Sequence, residues 1–189
     1  TLVETACSRY GGKNMFQYGE SVGLQPFREV LALWAAELGF KPPKNGKMID
    51  SIMVGVGSQQ LLKFVGEVFI DPGDPVVVEA PTYLGALQAW RGRKPNYIPV
   101  ATDGFGAKFK DLERIFKTYR VKLYYANHRY SNPGGTTAPA DRLEKTEWLC
   151  RKYGIPCIED GPYDLLNFTG DSIPSLQSLD QSGLFVRLN

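Results

Sequence analysis

Asp71-Pro-Gly-Asp-Pro75-Val-Val-Val-Glu79-Ala-Pro-Thr-Tyr83 is the stretch that decides the fold. Its first half is turn chemistry. Proline presets φ, glycine accepts a positive φ, and the aspartates bond neighbouring backbone N–H groups. The valine run after it is a short, continuously apolar strand, Pro75 to Glu79, of the kind buried on both faces of a parallel sheet. Thr82 to Arg91 then carries helical spacing. Downstream the same alternation repeats. Asn96 to Val100 is predicted as a strand, Phe109 to Tyr119 as a helix, Val121 to Ala126 as a strand and Asp141 to Tyr153 as a helix. Ile155 to Ile158 and Leu184 to Leu188 are predicted as strands. Upstream, Ser51 to Val56 is predicted as a strand and Ser58 to Phe69 as a helix. Leu24, Phe27, Leu31, Trp34 and Leu38 form one apolar stripe on a helix over Leu24 to Leu38. Pro26 fits its first turn and Gly39 its end. Strands alternating with helices predict an α/β protein of three layers, α/β/α, around a mainly parallel sheet.

Composition narrows the function. The 189 residues carry 22 basic and 20 acidic side chains, a net charge of +2, which gives no electrostatic reason to expect nucleic acid or an anionic membrane. The longest apolar run, Val30 to Ala36, is far short of the ~20 residues that span a bilayer. No secretory signal pattern opens the chain. Three cysteines with no CxxC spacing predict reduced thiols in a cytoplasmic protein rather than a disulfide framework. A single histidine, His128, argues against a His-based metal centre or a Ser-His-Asp triad, and no metal site is expected.

Ligands of parallel sheets sit beyond the carboxyl ends of the strands. After the first strand comes Gly55-Val-Gly57-Ser58-Gln59-Gln60 and then a helix. The N–H groups at that helix start suit an anion such as a phosphate, although an ordinary turn with Ser58 as N-cap reads equally from these residues. Gln60 stands where a dinucleotide fingerprint has its third glycine. Tyr83 comes after the valine strand and could lie flat on a ligand ring or simply pack. Asn132-Pro-Gly-Gly135 offers an amide donor or a plain turn. Glu159-Asp160-Gly-Pro-Tyr163 ends the strand at Ile158. Asp160 could pair with a protonated ring nitrogen or cap a loop, and Tyr163 could donate to a ring oxygen. In this order, at successive strand ends, the groups describe phosphate, flat ring, ring oxygen and basic ring nitrogen. Pyridoxal phosphate has all four.

With these residues in view, the chain resembles the fold-type I pyridoxal-phosphate enzymes of the class I/II aminotransferase family. It is most similar to the branch holding 2-aminoadipate and aromatic aminotransferases and the aminotransferase-like half of MocR-type regulators. The likeness is carried by Tyr18-Gly-Glu-Ser-Val-Gly-Leu-Gln-Pro-Phe-Arg28, Gly57-Ser-Gln-Gln60, Phe69-Ile-Asp-Pro-Gly-Asp-Pro75, Glu79-Ala-Pro-Thr-Tyr-Leu-Gly-Ala-Leu-Gln88, Asn132-Pro-Gly-Gly135 and Glu159-Asp-Gly-Pro-Tyr163. The resemblance implies pyridoxal 5'-phosphate as cofactor. It assigns Gly57, Ser58 and Gln59 to the phosphate, Tyr83 to the face of the ring, and Asn132 and Tyr163 to the phenolic oxygen. It assigns Asp160 to the ring nitrogen and Tyr18 to the phosphate of a partner subunit, hence a homodimer. Amino acid and 2-oxo acid substrates, and a biosynthetic role, are implied by the same likeness.

The chain departs from the family at three places. Gly134 stands where the family has threonine, and Gly161 where this branch often has a second aspartate. The Schiff-base lysine is expected in a serine-bounded loop just beyond Asn189. Residues 1–189 are therefore expected to be a partial cofactor-binding large domain, without the N-terminal arm, the lysine loop and the C-terminal small domain, and poorly active alone. The alternative is a non-catalytic ligand-binding module of a MocR-like regulator or a dead homologue. A Rossmann-type nucleotide binder is disfavoured by Gln60.

Overall fold

The computed structural model describes residues 1–11, 13, 16–168, 170 and 174–189. Its centre is a six-stranded sheet. The strands are β1 (Pro75–Ala80), β2 (Asn96–Asp103), β3 (Gly106–Ala107), β4 (Leu123–Ala126), β5 (Cys157–Asp160) and β6 (Phe185–Leu188), in the spatial order β3-β2-β1-β4-β5-β6. Every pairing is parallel except the short return of β3 on β2. The helices are α1 (Leu2–Tyr10), α2 (Gln25–Glu37), α3 (Ser58–Phe69), α4 (Leu84–Trp90), α5 (Phe109–Thr118), α6 (Ala140–Tyr153) and α7 (Leu176–Leu179).

Two cores form because successive strand residues face opposite ways. Val76, Val78, Leu123, Tyr125, Ile158 and Leu188 pack with Leu62 and Val65 of α3 and Ala86 and Trp90 of α4. Val77, Tyr124, Ala126, Cys157 and Phe185 pack with Leu112, Ile115 and Phe116 of α5 and Leu143 and Leu149 of α6. This is the expected α/β/α sandwich. The chain runs from β1 outward to β2 and then returns to β4 on β1's other side. The β1/β4 boundary is thus the switch point at which open parallel sheets place their ligands.

The expectations fail at three places. Ser51 to Val56 is not a strand. Met48–Ser51 is a 3-10 turn, Ile52 is extended, and the Val54 N–H donates to the Val22 carbonyl rather than to a ladder. Ile52 and Met53 line an apolar groove of about 460 Å³ together with Val186 and Arg187 of β6. The strand predicted at Ile155 to Ile158 lies two residues later, which brings Glu159 and Asp160 into β5. Helix α2 forms, but its apolar stripe is only half used: Leu31 and Trp34 are half-buried, and Leu24, Phe27 and Leu38 stay exposed.

Candidate cofactor site

Asp160 is the last residue of β5 and only 3% exposed. Alternation along β5 sends Glu159 to the α5/α6 face and Asp160 to the α3/α4 face, the side of Ile158. Its Oδ2 accepts the Tyr125 hydroxyl at 2.6 Å, and its backbone carbonyl accepts from Asn127 Nδ2 at 2.7 Å. Oδ1 is buried and has no partner. Burial pushes the Asp160 carboxyl above its ordinary range. The Tyr125 hydrogen bond and Arg187 oppose that rise, and Asp164 adds to it. A buried carboxylate oxygen with no donor is a costly arrangement, and a ligand N–H is what would relieve it.

The other predicted residues follow three adjacent strand ends. Tyr83 comes after β1 and Asn132 after β4, with Tyr163 three residues past β5. Asn132 Nδ2 donates to the Tyr163 hydroxyl at 3.4 Å, so the two stand side by side. The Asn132 N–H donates to Asn127 Oδ1 at 2.6 Å, which ties the turn after β4 to the carbonyl of Asp160 through one asparagine. The Tyr83 ring is half-buried and lies back over the first turn of α4. A Cβ on Gly85 would stand 2.4 Å from it, so only glycine leaves room.

Gly57 precedes α3 with φ +97°, in the left-handed region that favours glycine. Gly57, and not Ser58, is the N-cap. The Gly57 carbonyl accepts from the N–H groups of Gln60 and Leu61. The N–H groups of Ser58 and Gln59 precede the first intrahelical bond and are the donors such a terminus offers to an anion. Gln59 Nε2 donates to the Gly85 carbonyl at 2.9 Å and links the start of α3 to α4. Tyr18 is fully exposed (106%) and does not join this group within the chain.

A chain of packed side chains links Leu62 in the second turn of α3 to Asp160. Trp90 Nε1 donates to the Leu62 carbonyl at 2.7 Å, and its ring meets Tyr125 edge-on, with centroids 5.4 Å apart. Gly66 makes this possible, since a Cβ there would lie 2.5 Å from Trp90 Cδ1. Tyr125 in turn holds Asp160. Two cavities open elsewhere: the apolar groove beside β6 and one of about 620 Å³ lined by Phe40, Arg129, Asp164 and Arg187. None of the residues predicted for the site lines either of them.

Behind the site, on the α5/α6 face, lies a polar layer the sequence did not announce. Glu159 Oε1 stands 3.0 Å from both His128 Nε2 and Arg187 NH1, and the Glu159 carboxylate accepts the Leu176 and Gln177 N–H groups. Arg187 also pairs with Asp164, which Arg129 approaches at 3.4 Å. Burial opposes the Glu159 charge, but the adjacent His128 and Arg187 prevail and hold its carboxyl down to about 2. Glu79 accepts from the Tyr124 hydroxyl at 3.0 Å, and its carboxyl is raised by burial, against the effect of His128. Among the described residues no group of His, Cys, Asp and Glu could hold a metal ion.

Tyr125 and Asn127 are the site residues that motif reading missed. A signal existed for the first, because a tyrosine inside an apolar strand needs a partner for its hydroxyl. The partner could not be named without the β4/β5 register, which sets Tyr125 beside Ile158 and hence two residues from Asp160 on one face.

The model of the family "Aminotransferase class I and II" matches residues 3–181. The chain is 36% identical over 179 residues to aromatic-amino-acid aminotransferase 1 of Thermococcus litoralis, covering 91% of the chain and 42% of that protein. It is 32% identical over 171 residues to the 2-aminoadipate transaminase of Thermus thermophilus, covering 90% and 41%. Among solved structures, the Pyrococcus horikoshii kynurenine aminotransferase, in complex with PMP, superposes with a TM-score of 0.89 at 34% identity, over 98% of this chain and 46% of that one. The Thermus thermophilus alpha-aminoadipate aminotransferase complexed with N-(5'-phosphopyridoxyl)-L-leucine gives 0.82 at 31%, over 93% and 42%. The chain spans less than half the length of each of these relatives. A mainly parallel sheet between two layers of helices, matched by this family's model over residues 3–181, makes the chain a member of the class I and II aminotransferase family.

Proposed function

We propose that this chain forms the cofactor-binding part of a pyridoxal-phosphate-dependent aminotransferase that exchanges an amino group between an amino acid and a 2-oxo acid. The observation that carries the proposal is the buried, unpartnered Oδ1 of Asp160. It is an acceptor in need of a cationic N–H, and a pyridinium ring supplies one. When bound, pyridoxal phosphate supplies an electron sink for the carbanion at the substrate's α-carbon. The residues of this chain bind and orient it. Asp160 accepts the ring N–H and keeps the proton on the nitrogen. The Ser58 and Gln59 N–H groups and the Gly57 turn receive the phosphate. Tyr83 offers its face to the ring, and Asn132 and Tyr163 offer their polar atoms to the phenolic oxygen.

No lysine stands after β1, β4 or β5 at the site. The covalent anchor and proton shuttle, and the small domain, are accordingly assigned to the remainder of the enzyme, with residues 1–189 as part of its large domain. The working enzyme is proposed to be a cytoplasmic homodimer in which the exposed Tyr18 reaches the partner's phosphate site.

The test is a titration of the protein with pyridoxal phosphate, with NAD as control. Saturable binding of the first, accompanied by an absorption change, is expected, with none of the second. In the full-length enzyme Asp160→Ala should slow the amino-acid half-reaction by at least ~10²-fold, the scale of lost proton and charge management. An unchanged rate would remove Asp160 from the assigned role.

A further inference from the structure

We propose that Tyr125 is a positioning residue for the cofactor: its hydroxyl takes Asp160 Oδ2 out of play, so that Oδ1 alone faces the ring nitrogen. The inference rests on the assignment of Asp160 to that nitrogen made above. Two carboxylate oxygens offer two ways to meet an N–H. The 2.6 Å bond to Oδ2 removes one of them, and the Asn127 bond to the Asp160 carbonyl fixes the backbone from which the carboxylate hangs. Tyr125 is itself closely packed. It is fully buried, meets Trp90 edge-on, and Trp90 is pinned to the Leu62 carbonyl. The bond therefore starts from a fixed donor.

The charged groups around the pair favour the same direction of donation. Asp160 is faced by Tyr125 from β4, by Arg187 from β6 and by Asp164 from the loop after β5. Arg187 is already taken up by Glu159 and Asp164. Tyr125 is faced by Asp160, by Glu79 of β1 and by Tyr83, and burial with these neighbours drives its phenol well above the ordinary range. It is thus a donor throughout the working pH range. Without it, a carboxyl already raised by burial would take up a proton at higher pH still, and the charge that holds the ring proton would be lost from the acid side upward.

The experiment measures the affinity for pyridoxamine 5'-phosphate, a ligand that needs no lysine. The full-length wild type, Tyr125→Phe and Asp160→Asn are compared from about pH 5.5 to about pH 8.5, above the ordinary carboxylate range. The ratio of dissociation constants, Tyr125→Phe over wild type, is expected to reach about tenfold at the acid end, the size of a charge-assisted bond. It should shrink toward one as pH rises and Asp160 ionises again. Asp160→Asn, which cannot ionise, should show its loss at every pH. If Asp160→Asn binds like wild type, the assignment of Asp160 to the ring fails, and this inference with it. If Asp160→Asn is weakened but the Tyr125→Phe ratio stays at one across the range, Tyr125 merely packs and the inference alone fails. A second readout needs no cofactor. Carboxyl ¹³C titration of Asp160 should show a higher midpoint in Tyr125→Phe. Should that variant not fold, Tyr125→3-fluorotyrosine, a stronger donor of similar size, must lower the midpoint, and an unmoved midpoint overturns the proposal.

Discussion

Asn127 binds Asp160 and Asn132 at once: its Nδ2 donates to the Asp160 carbonyl at 2.7 Å, and its Oδ1 accepts the Asn132 N–H at 2.6 Å. One buried side chain therefore sets the distance between the turn after β4 and the end of β5. Asn127→Ala removes both bonds and leaves a half-buried N–H and a buried carbonyl without these partners. The expected cost is ~1–3 kcal/mol of stability. Affinity for pyridoxamine phosphate should fall too, because Asn132 and Asp160 lose their common brace. Urea unfolding and a binding titration check the two effects separately.

Glu159 makes acid stability predictable. Its folded carboxyl is held down to about 2 against an ordinary value of 4.5. A depressed carboxyl stabilises the fold above its unfolded value and loses that contribution as pH falls toward the folded one. Stability should therefore decline between about pH 4.5 and about pH 2. Glu159→Gln should flatten this part of the decline. It should also cost ~3–5 kcal/mol at neutral pH, since His128 and Arg187 would lose their buried carboxylate. Unfolding free energies measured across that pH range test both.

Gly66→Ala should destabilise, contrary to the usual gain of ~1 kcal/mol when alanine replaces glycine inside a helix. The new methyl would meet Trp90 Cδ1 at 2.5 Å, and Trp90 is fully buried and hydrogen-bonded. A net loss of ~1–3 kcal/mol is expected from overpacking, read as a lower Tm. A raised Tm would show that the indole can move aside.

Gly85→Ala should act on binding more than on folding. Its methyl would displace the half-buried Tyr83 ring from the first turn of α4. The expected result is weaker binding of pyridoxamine phosphate by up to ~10-fold, on the scale of a lost aromatic contact of ~0.5–1.5 kcal/mol. Retained affinity would separate Tyr83 from the ring.

Much of this was legible from local chemistry. The valine strand, the helix at Ser58–Phe69 and the turn at Asp71 to Asp74 arise from patterns within a few residues, and all three form. Where pairing with a distant segment decides the outcome, the pattern is silent. The residues from Ser51 to Val56 are apolar enough for a strand, yet a strand exists only beside a partner, and the Val54 N–H finds Val22 instead. Likewise the Glu159–His128–Arg187 cluster joins residues from three separate strand ends, and a lone histidine gives no hint of its carboxylate. Asp160 was legible because Gly161, Pro162 and Tyr163 stand directly after it in the chain. Tyr125 was not, because its partner lies 35 residues away.

A single indole serves both halves of the site. Trp90, the last residue of α4, donates to the helix whose first turn would meet the phosphate and leans on the tyrosine that holds the carboxylate. On the roles proposed above, the phosphate end and the ring end would share this one hinge pin. Remodelling that loosens this pin would slacken both ends together, whereas Tyr83, Asn132 and Tyr163 stand half-buried and apart from it.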